Sequence, residues 1–550
     1  MASIIKRKKG NNYYYYVVEC QRVDSKPRIV KQIYLGTIKR ILEKFRQPLD
    51  KPDIPKEVDH KDFGSITALL SIAEKIGLVQ IIDKHSKKRN QGISVGSYML
   101  LGVVNRAISP KSKSGIGPWY EETVLPRILK IPTSLIDGKN FWDNMEYLSK
   151  EEIEAIELDI SRVLIDKFHI RLECLLYDTT NFFTFIDSAT KSILAKRGHS
   201  KAHRGDLKQV NLALLVSKDF KIPLFHLLYE GNKNDLSLFP AITEELVKRY
   251  KLFRKSCEKI TIVFDKGNNS EKNIKKVDKS PYSFVGSLRP SRQKKLLSIP
   301  LDRYENIEDY KALRLKKEVF GKIRTIVITY NESLYRKKLI RLNKTIERKK
   351  AELRDLKKKL NKGKWTKKKR IEKKIKSILN SKESKGLMDC KVKKRKGVFT
   401  LSVRKNQRAF QLKRMAFGKT ILFTDNHSWS TKEIVNTYRG KTDIEDDFKR
   451  MNSTLISFTP VYHWTDQKIR VHAFMCVLAL LLLNLLEREL SMKGLNLSLS
   501  KIMHQLERIK EIILFYPKGM RVVKKISRKS EVQQRIYDIL NLERYAPNEK

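Results

Sequence analysis

Three carboxylates stand out from the patterning around them. Asp178 closes the apolar run IRLECLLYD, Asp265 closes KITIVFD, and Glu445 lies in a polar helical run that begins near Ser430. Acidic groups brought together at the ends of buried strands repel unless a cation neutralises them, so such a trio is a natural Mg2+ site. Taken singly, each also reads as a turn former or a helix cap. The flanks favour a site, because Thr179-Thr180-Asn181 follows Asp178 and Lys266-Gly267-Asn268-Asn269-Ser270 follows Asp265. All the donors are hard oxygens, which suits Mg2+, with Mn2+ as a substitute. His199 and His203 are four apart, but the basic stretch RGHSKAHRGD reads as a phosphate-facing loop, with Lys196, Arg197 and Arg204, rather than as a zinc pattern.

The elements that must position these groups are legible from periodicity. Residues 12–37 alternate around DSKP and predict a basic β-hairpin, followed by the proline-rich link QPLDKPDIPKE. From Asp62 to about Phe168 the period is helical, which predicts an all-α unit able to enter a DNA groove or to act as a scaffold. Short apolar strands at 170–178, 207–217, 221–231 and 259–265, with a helix at 236–250, predict an α/β sheet core. From about Arg289 to Lys419 that rhythm is interrupted by strand-like pieces around a very basic helical segment. Leu339, Leu342, Ile346, Leu353, Leu356 and Leu360 fall at heptad positions there, NKGKW breaks the helix, and Ile371, Ile375 and Ile378 begin a second one. An antiparallel helical hairpin follows, and its lysine face could clamp DNA or its heptads could pair with another protomer. Trp365 at the tip could stack on an extruded base or simply cover the turn. Ser430 with Glu433 three residues on forms a capping box, and a long apolar helix at 468–488 and a basic helical tail complete the chain.

Composition narrows the partner. With 116 Lys+Arg against 61 Asp+Glu among 550 residues, the net charge is +55, which calls for a polyanion; solvated charge runs are the blander explanation. The 41% hydrophobic content excludes wholesale disorder. The apolar run at 473–483 is interrupted by Asn484 and Glu487-Arg488, which marks a core helix rather than a membrane anchor, and the N-terminus predicts no secretion. A cytoplasmic, nucleoid-associated protein without a membrane partner is expected. Five scattered cysteines exclude a disulfide framework and a zinc ribbon.

The phrases YDTTNFF, RGHSKAHRGDLKQVNLALLV, GNKNDLSLF, IVFDKGNNS, YRGKTDIEDDFKRMN and TPVYHWTDQKIRVHAF now carry a resemblance. Together they resemble the Asp-Asp-Glu transposases of prokaryotic insertion sequences, most closely the insertion-sequence-four superfamily in its branch with a long insertion before the Glu. The resemblance covers roughly 170–490. It implies an α/β, ribonuclease-H-like catalytic core, with Asp178 and Asp265 on adjacent strands and Glu445 on a helix. It also implies two metal ions, action on double-stranded DNA at element ends and target, and a homodimer in the synaptic complex. Pattern and resemblance together give the expected division 1–58 basic hairpin and linker, 59–169 helical DNA-binding region, 170–289 first half of the core, 290–418 insertion, 419–490 second half, and 491–550 basic helical tail. The family's signature, Y-x2-R-x3-E-x6-K, is met by Tyr438 and Glu445, while Lys441 and Asn452 stand at the Arg and Lys places. Lysine neutralises a phosphate without offering a bidentate fork. Lys449 and Arg450 are candidates for the second basic role, and Arg439 and Lys266 extend the set expected to touch DNA. For Tyr438 a phosphate contact and a packing role both stay open. Arg470 and His472 read as interface hydrogen bonders. A non-catalytic DNA-binding derivative and a nuclease without strand transfer are the alternatives; no RNP-like aromatic strands support an RNA-binding module.

Overall fold

The computed structural model describes the chain except residues 1, 24–25, 47–53, 90, 188, 199–203, 234–242, 246, 250–252, 254–258, 266–268, 382–383, 454, 460, 517–521 and 549–550. It divides into two compact units, one of Met1–Lys61, Lys510–Ser527 and Ala546–Lys550, the other of Asp62–Ile509 and Arg528–Tyr545.

In the first unit β1 (Ala2–Lys9), β2 (Asn12–Val23) and β3 (Lys26–Gly36) form an antiparallel sheet in that order. A third strand thus joins the anticipated hairpin, because Ile4, Ile5 and Lys6 find cross-strand partners in Val17, Tyr16 and Tyr15. Tyr16 and Tyr34 pack at 5.2 Å, and the Arg7 guanidinium lies 5.4 Å from the Tyr16 ring. The strand β4 (Glu57–Asp62) pairs with a hairpin, Lys510–Phe515 and Val522–Ile526, from the far end of the chain. The tail expected as helical over 491–550 thus holds a β-hairpin between the helices Leu499–Glu507 and Glu531–Ile539. EIILF is rich in β-branched and aromatic residues, and Ile512 and Ile513 pair with Lys525 and Lys524.

The second unit is built around the helix Asp466–Met492, which is apolar on all sides. It is long and apolar enough to cross a bilayer, yet 94% of its most apolar window is buried inside the protein. The helices Gly64–Ile76, Val95–Ile108 and Lys150–Asp166 pack on it. At Gly102 the approach is so close that an added Cβ would stand 2.7 Å from Met475 Sδ. Thr465 caps the helix by accepting from the Lys468 backbone N–H.

Beside this helical layer lies a nine-stranded mixed sheet. Its strands are β5 (Cys174–Thr184), β6 (Lys208–Ser217), β7 (Pro223–Glu230), β8 (Thr261–Val263), β9 (Ser283–Leu288), β10 (Glu305–Ile307), β11 (Tyr310–Val319), β12 (Lys322–Tyr330) and β15 (Lys419–Thr424), in the order β10-β11-β12-β15-β9-β8-β5-β6-β7. Within it β5, β8 and β9 run parallel, with antiparallel strands on either side. Parallel strands are buried on both faces, which explains the apolar runs at the start of β5, in β8 and in β9.

The segment expected as an insertion over 290–418 divides in two. Strands β10, β11 and β12 extend the main sheet, because KIRTIVITY pairs with β15 along Thr325–Tyr330. What leaves the sheet is a helical hairpin, Glu332–Lys359 and Lys368–Leu379, with its own two-stranded sheet of β13 (Met388–Arg395) and β14 (Val398–Lys405). The leucines of the heptad are used inside this body. Leu353, Leu356, Leu360, Ile371, Ile375 and Ile378 bury against Met388 and Leu401. Leu342 and Ile346 bury against Leu387 and Phe410. These apolar faces are therefore occupied, while the lysines stay at the surface. Burying each such side chain stabilises by roughly 1.5–3 kcal/mol. Ile371→Ala should accordingly destabilise this body by about 2–4 kcal/mol, seen as faster tryptic cleavage within 332–379 with the rest of the chain still protected.

Candidate active site

The sheet register brings two of the three acidic residues together. β5 pairs in parallel with β8 through Leu176↔Val263, and β8 with β9 through Val263↔Val285. Continued by two residues, the register sets Asp178 beside Asp265 and Asp265 beside Ser287. Since side chains alternate with period two, all three share a face. Asp178 does not end its strand, as the sequence suggested. β5 runs on to Thr184, because TTNFFT consists mostly of strand formers paired with β6 from Asp178↔Leu214 to Thr184↔Lys208.

Two helices face this row. The first, Thr431–Arg439, starts at Ser430 with a capping box completed by Glu433. The second, Lys441–Asn452, follows immediately, and Gly440 between them keeps right-handed helical angles, φ −55° and ψ −16°. Tyr438 and Lys441 are three apart, a spacing that puts two side chains on one side of a helical turn. The Tyr438 hydroxyl lies 3.2 Å from Asp265 Oδ1 and 2.7 Å from Ser287 Oγ. Both oxygens stand where the phenol can donate its one proton. Burial first, then the charges of Asp265 and Asp178, push the Tyr438 phenol well above its ordinary value, so it stays a donor at any working pH. The Lys441 ammonium lies 3.2 Å from Asp178 Oδ2, with the two side chains 9% and 14% exposed.

Glu445 is on the same helix, one turn beyond Lys441, and exposed. Among the described residues no group of three or more His, Cys, Asp or Glu is close enough to hold a metal ion. The structure thus joins Asp178 and Asp265 and leaves Glu445 outside their cluster. Two hard-oxygen donors side by side, with a cation already drawn to one, suit a divalent ion such as Mg2+.

A second group anchors the Glu445 helix. Arg450 donates to Asn484 Oδ1 at 2.8 Å and to Glu487 Oε2 at 3.4 Å, and Asn484 Nδ2 donates to the Lys221 carbonyl at 2.9 Å. Asp447, fully buried, lies 3.6 Å from Arg450 and accepts from Asn484 Nδ2 at 3.4 Å, while its Oδ2 has no partner among the described residues. Burial pushes the Asp447 carboxyl up to about 7. Neither Ser287 nor Asp447 stood out in the sequence. Asn484 did, as the polar break in an apolar run, and that break is what ties the two helices.

The residues expected to meet DNA are mostly engaged with the protein. Arg439 donates to Asp309 at 3.0 Å and lies over Tyr310 at 4.3 Å. Lys449 pairs with Asp446 at 2.6 Å, and Arg204 with Asp206 at 2.7 Å. Lys196 and Arg197 are exposed at the end of a loop bridged to β6 through Gln209. Lys266, His199 and His203 lie outside the described residues. Trp365 packs on the core of the helical hairpin and so covers the turn. Arg470 and His472 donate to the carbonyls of Leu228 and Phe458, at 3.3 and 3.0 Å, which is the structural role. A cavity of about 710 Å³ opens beside Ser287 and Tyr438, lined by Lys294, Lys338, Lys413 and Lys419 over Leu288, Leu297 and Phe417.

Residues 183–482, more than half of the chain, match the family described as the transposase DDE domain, and the chain belongs to that family. The matched span includes Asp265 and Glu445 and begins just beyond Asp178. No curated protein matches. Among solved structures, a piggyBac transposase synaptic complex with hairpin DNA is similar at 10% identity and a TM-score of 0.38, covering 88% of this chain and 83% of that one.

Asp447 gives the anchor a pH signature. Its folded value near 7 is above the ordinary 3.8, so the folded state holds the proton more tightly and stability falls as pH rises from about 4 to 7. Asp447→Asn should flatten that part of the stability curve, measured as thermal midpoints between pH 4.5 and 7.5.

Proposed function

We propose that the chain is a metal-dependent DNA transposase, of the branch with a long insertion before the glutamate, with a ribonuclease-H-like core. It binds the terminal inverted repeats of its own element as a homodimer, frees a 3′-hydroxyl at each end and joins it to target DNA. The observation that carries this reading is the side-by-side pair Asp178 and Asp265, held by Tyr438 and Lys441, in a chain of the transposase DDE family.

Asp178 and Asp265 would hold Mg2+, or Mn2+ in its place, with Glu445 as the third carboxylate that the family's chemistry would call on. A bound pair of such ions activates an attacking oxygen and stabilises the leaving one at a phosphodiester. Tyr438 fixes the orientation of Asp265 through its hydroxyl. The lysines around the neighbouring cavity and along the helical hairpin supply the positive surface that guides the phosphate backbone. A second reading, a DNA-binding derivative that no longer breaks strands, is favoured by the exposed position of Glu445 and by Lys441 at Asp178.

A labelled duplex bearing the element's end, mixed with a plasmid target, decides between them. Nicking and joining that require Mg2+ and stop with chelator support the transposase; binding without any cleavage supports the derivative. Asp265→Asn should abolish nicking and leave the apparent Kd for the end duplex nearly unchanged, because the phosphate-facing lysines remain. Changing Lys344, Lys358 and Lys373 to Glu, all exposed on the hairpin, should shallow the salt dependence of binding by roughly 0.9 in log–log slope for each phosphate that the variant no longer neutralises. An unchanged slope would remove the hairpin from the DNA surface.

A further inference from the structure

Lys441 begins one helix and lies two residues past the end of another, so the two macrodipoles act on its charge in opposite senses. Helix stability therefore does not explain it. Nor does the surface: the side chain is buried, and its ammonium sits at 3.2 Å on one of two carboxylates that the parallel register sets side by side. Two adjacent carboxylates without a counter-charge repel each other. Lysine carries a compact charge on a flexible four-carbon stem, so it can occupy such a place and also leave it.

We propose that Lys441 is a tethered counter-ion, occupying Asp178 in the metal-free protein and displaced when a divalent cation takes the same carboxylate. Its freed ammonium then turns to a phosphate of the bound DNA. Metal and DNA each release the same ion pair, so each strengthens the binding of the other, and linkage makes that coupling reciprocal. The ammonium thereby offsets one of the two carboxylate charges in the metal-free protein, and a divalent ion would offset both. The inference rests on the reading of Asp178 and Asp265 as the metal-holding pair.

The test is Mn2+ binding to the full chain without DNA, followed by the loss of the free-ion electron paramagnetic resonance signal. Lys441→Met keeps the side chain's length and removes its charge. It should bind Mn2+ about tenfold more tightly than wild type, whereas Lys441→Arg should not. With DNA, wild type should gain about 0.9 in salt slope when Mn2+ is added, and Lys441→Met should gain nothing. A measurement that needs no variant is acylation by acetic anhydride read by mass spectrometry. Lys441 should be protected in chelator and become labelled in Mn2+. If wild type binds Mn2+ through Asp178, as shown by its loss in Asp178→Asn, but Lys441→Met binds no more tightly and Lys441 labelling does not change, the counter-ion is overturned while the metal pair stands. If no Mn2+ binds that Asp178→Asn abolishes, both fall.

Discussion

Two carboxylates on neighbouring parallel strands set the terms for everything packed against them. Parallel strands are about 4.8 Å apart, so in-register aspartates meet at a distance where like charges are costly unless something positive or protic intervenes. The helices Thr431–Arg439 and Lys441–Asn452 supply both, a phenol for Asp265 and an ammonium for Asp178. The placing of those helices in turn depends on Arg450, Asn484 and the turn at Lys221, which fasten them to the buried helix Asp466–Met492. A change in the core helix is thus felt at the acidic pair through these hydrogen bonds.

Asp178 and Asp265 stood out in the sequence because local pattern marks the ends of apolar runs, and polar residues after such runs draw attention to themselves. Tyr438 and Lys441 were legible only through motif spacing, with their direction hidden: their partners Asp265 and Asp178 lie 173 and 263 residues away. Ser287 was not legible at all, since a serine at a strand end is unremarkable until a register places it. The extent of β5 was missed because an aspartate in mid-strand resembles a stop. The strands at 510–526 were missed because a basic, apolar sequence fits a helix until a distant strand, Glu57–Asp62, offers its edge.

The helical hairpin illustrates how one pattern admits two structures. Heptad leucines are equally suited to a partner helix in another chain and to a sheet in the same chain. Here β13 and β14 cover them, and Trp365 closes the turn above. The hairpin therefore stands on its own apolar core, and its many lysines repel one another across a surface that no heptad pairing shields. That repulsion is relieved by any dense array of phosphates.

The buried helix also fixes an order of events in the making of the protein. Helices between 64 and 166 bury their apolar faces on a helix that begins at Asp466. On a ribosome that partner is synthesised about 300–400 residues later, roughly 15–80 s at usual elongation rates. Throughout that interval Leu69, Ile72, Met99, Leu101 and Val103, all fully buried in the finished fold, have no permanent cover. The first-made part of the chain must therefore be sheltered by chaperones or wait in a loosely collapsed form.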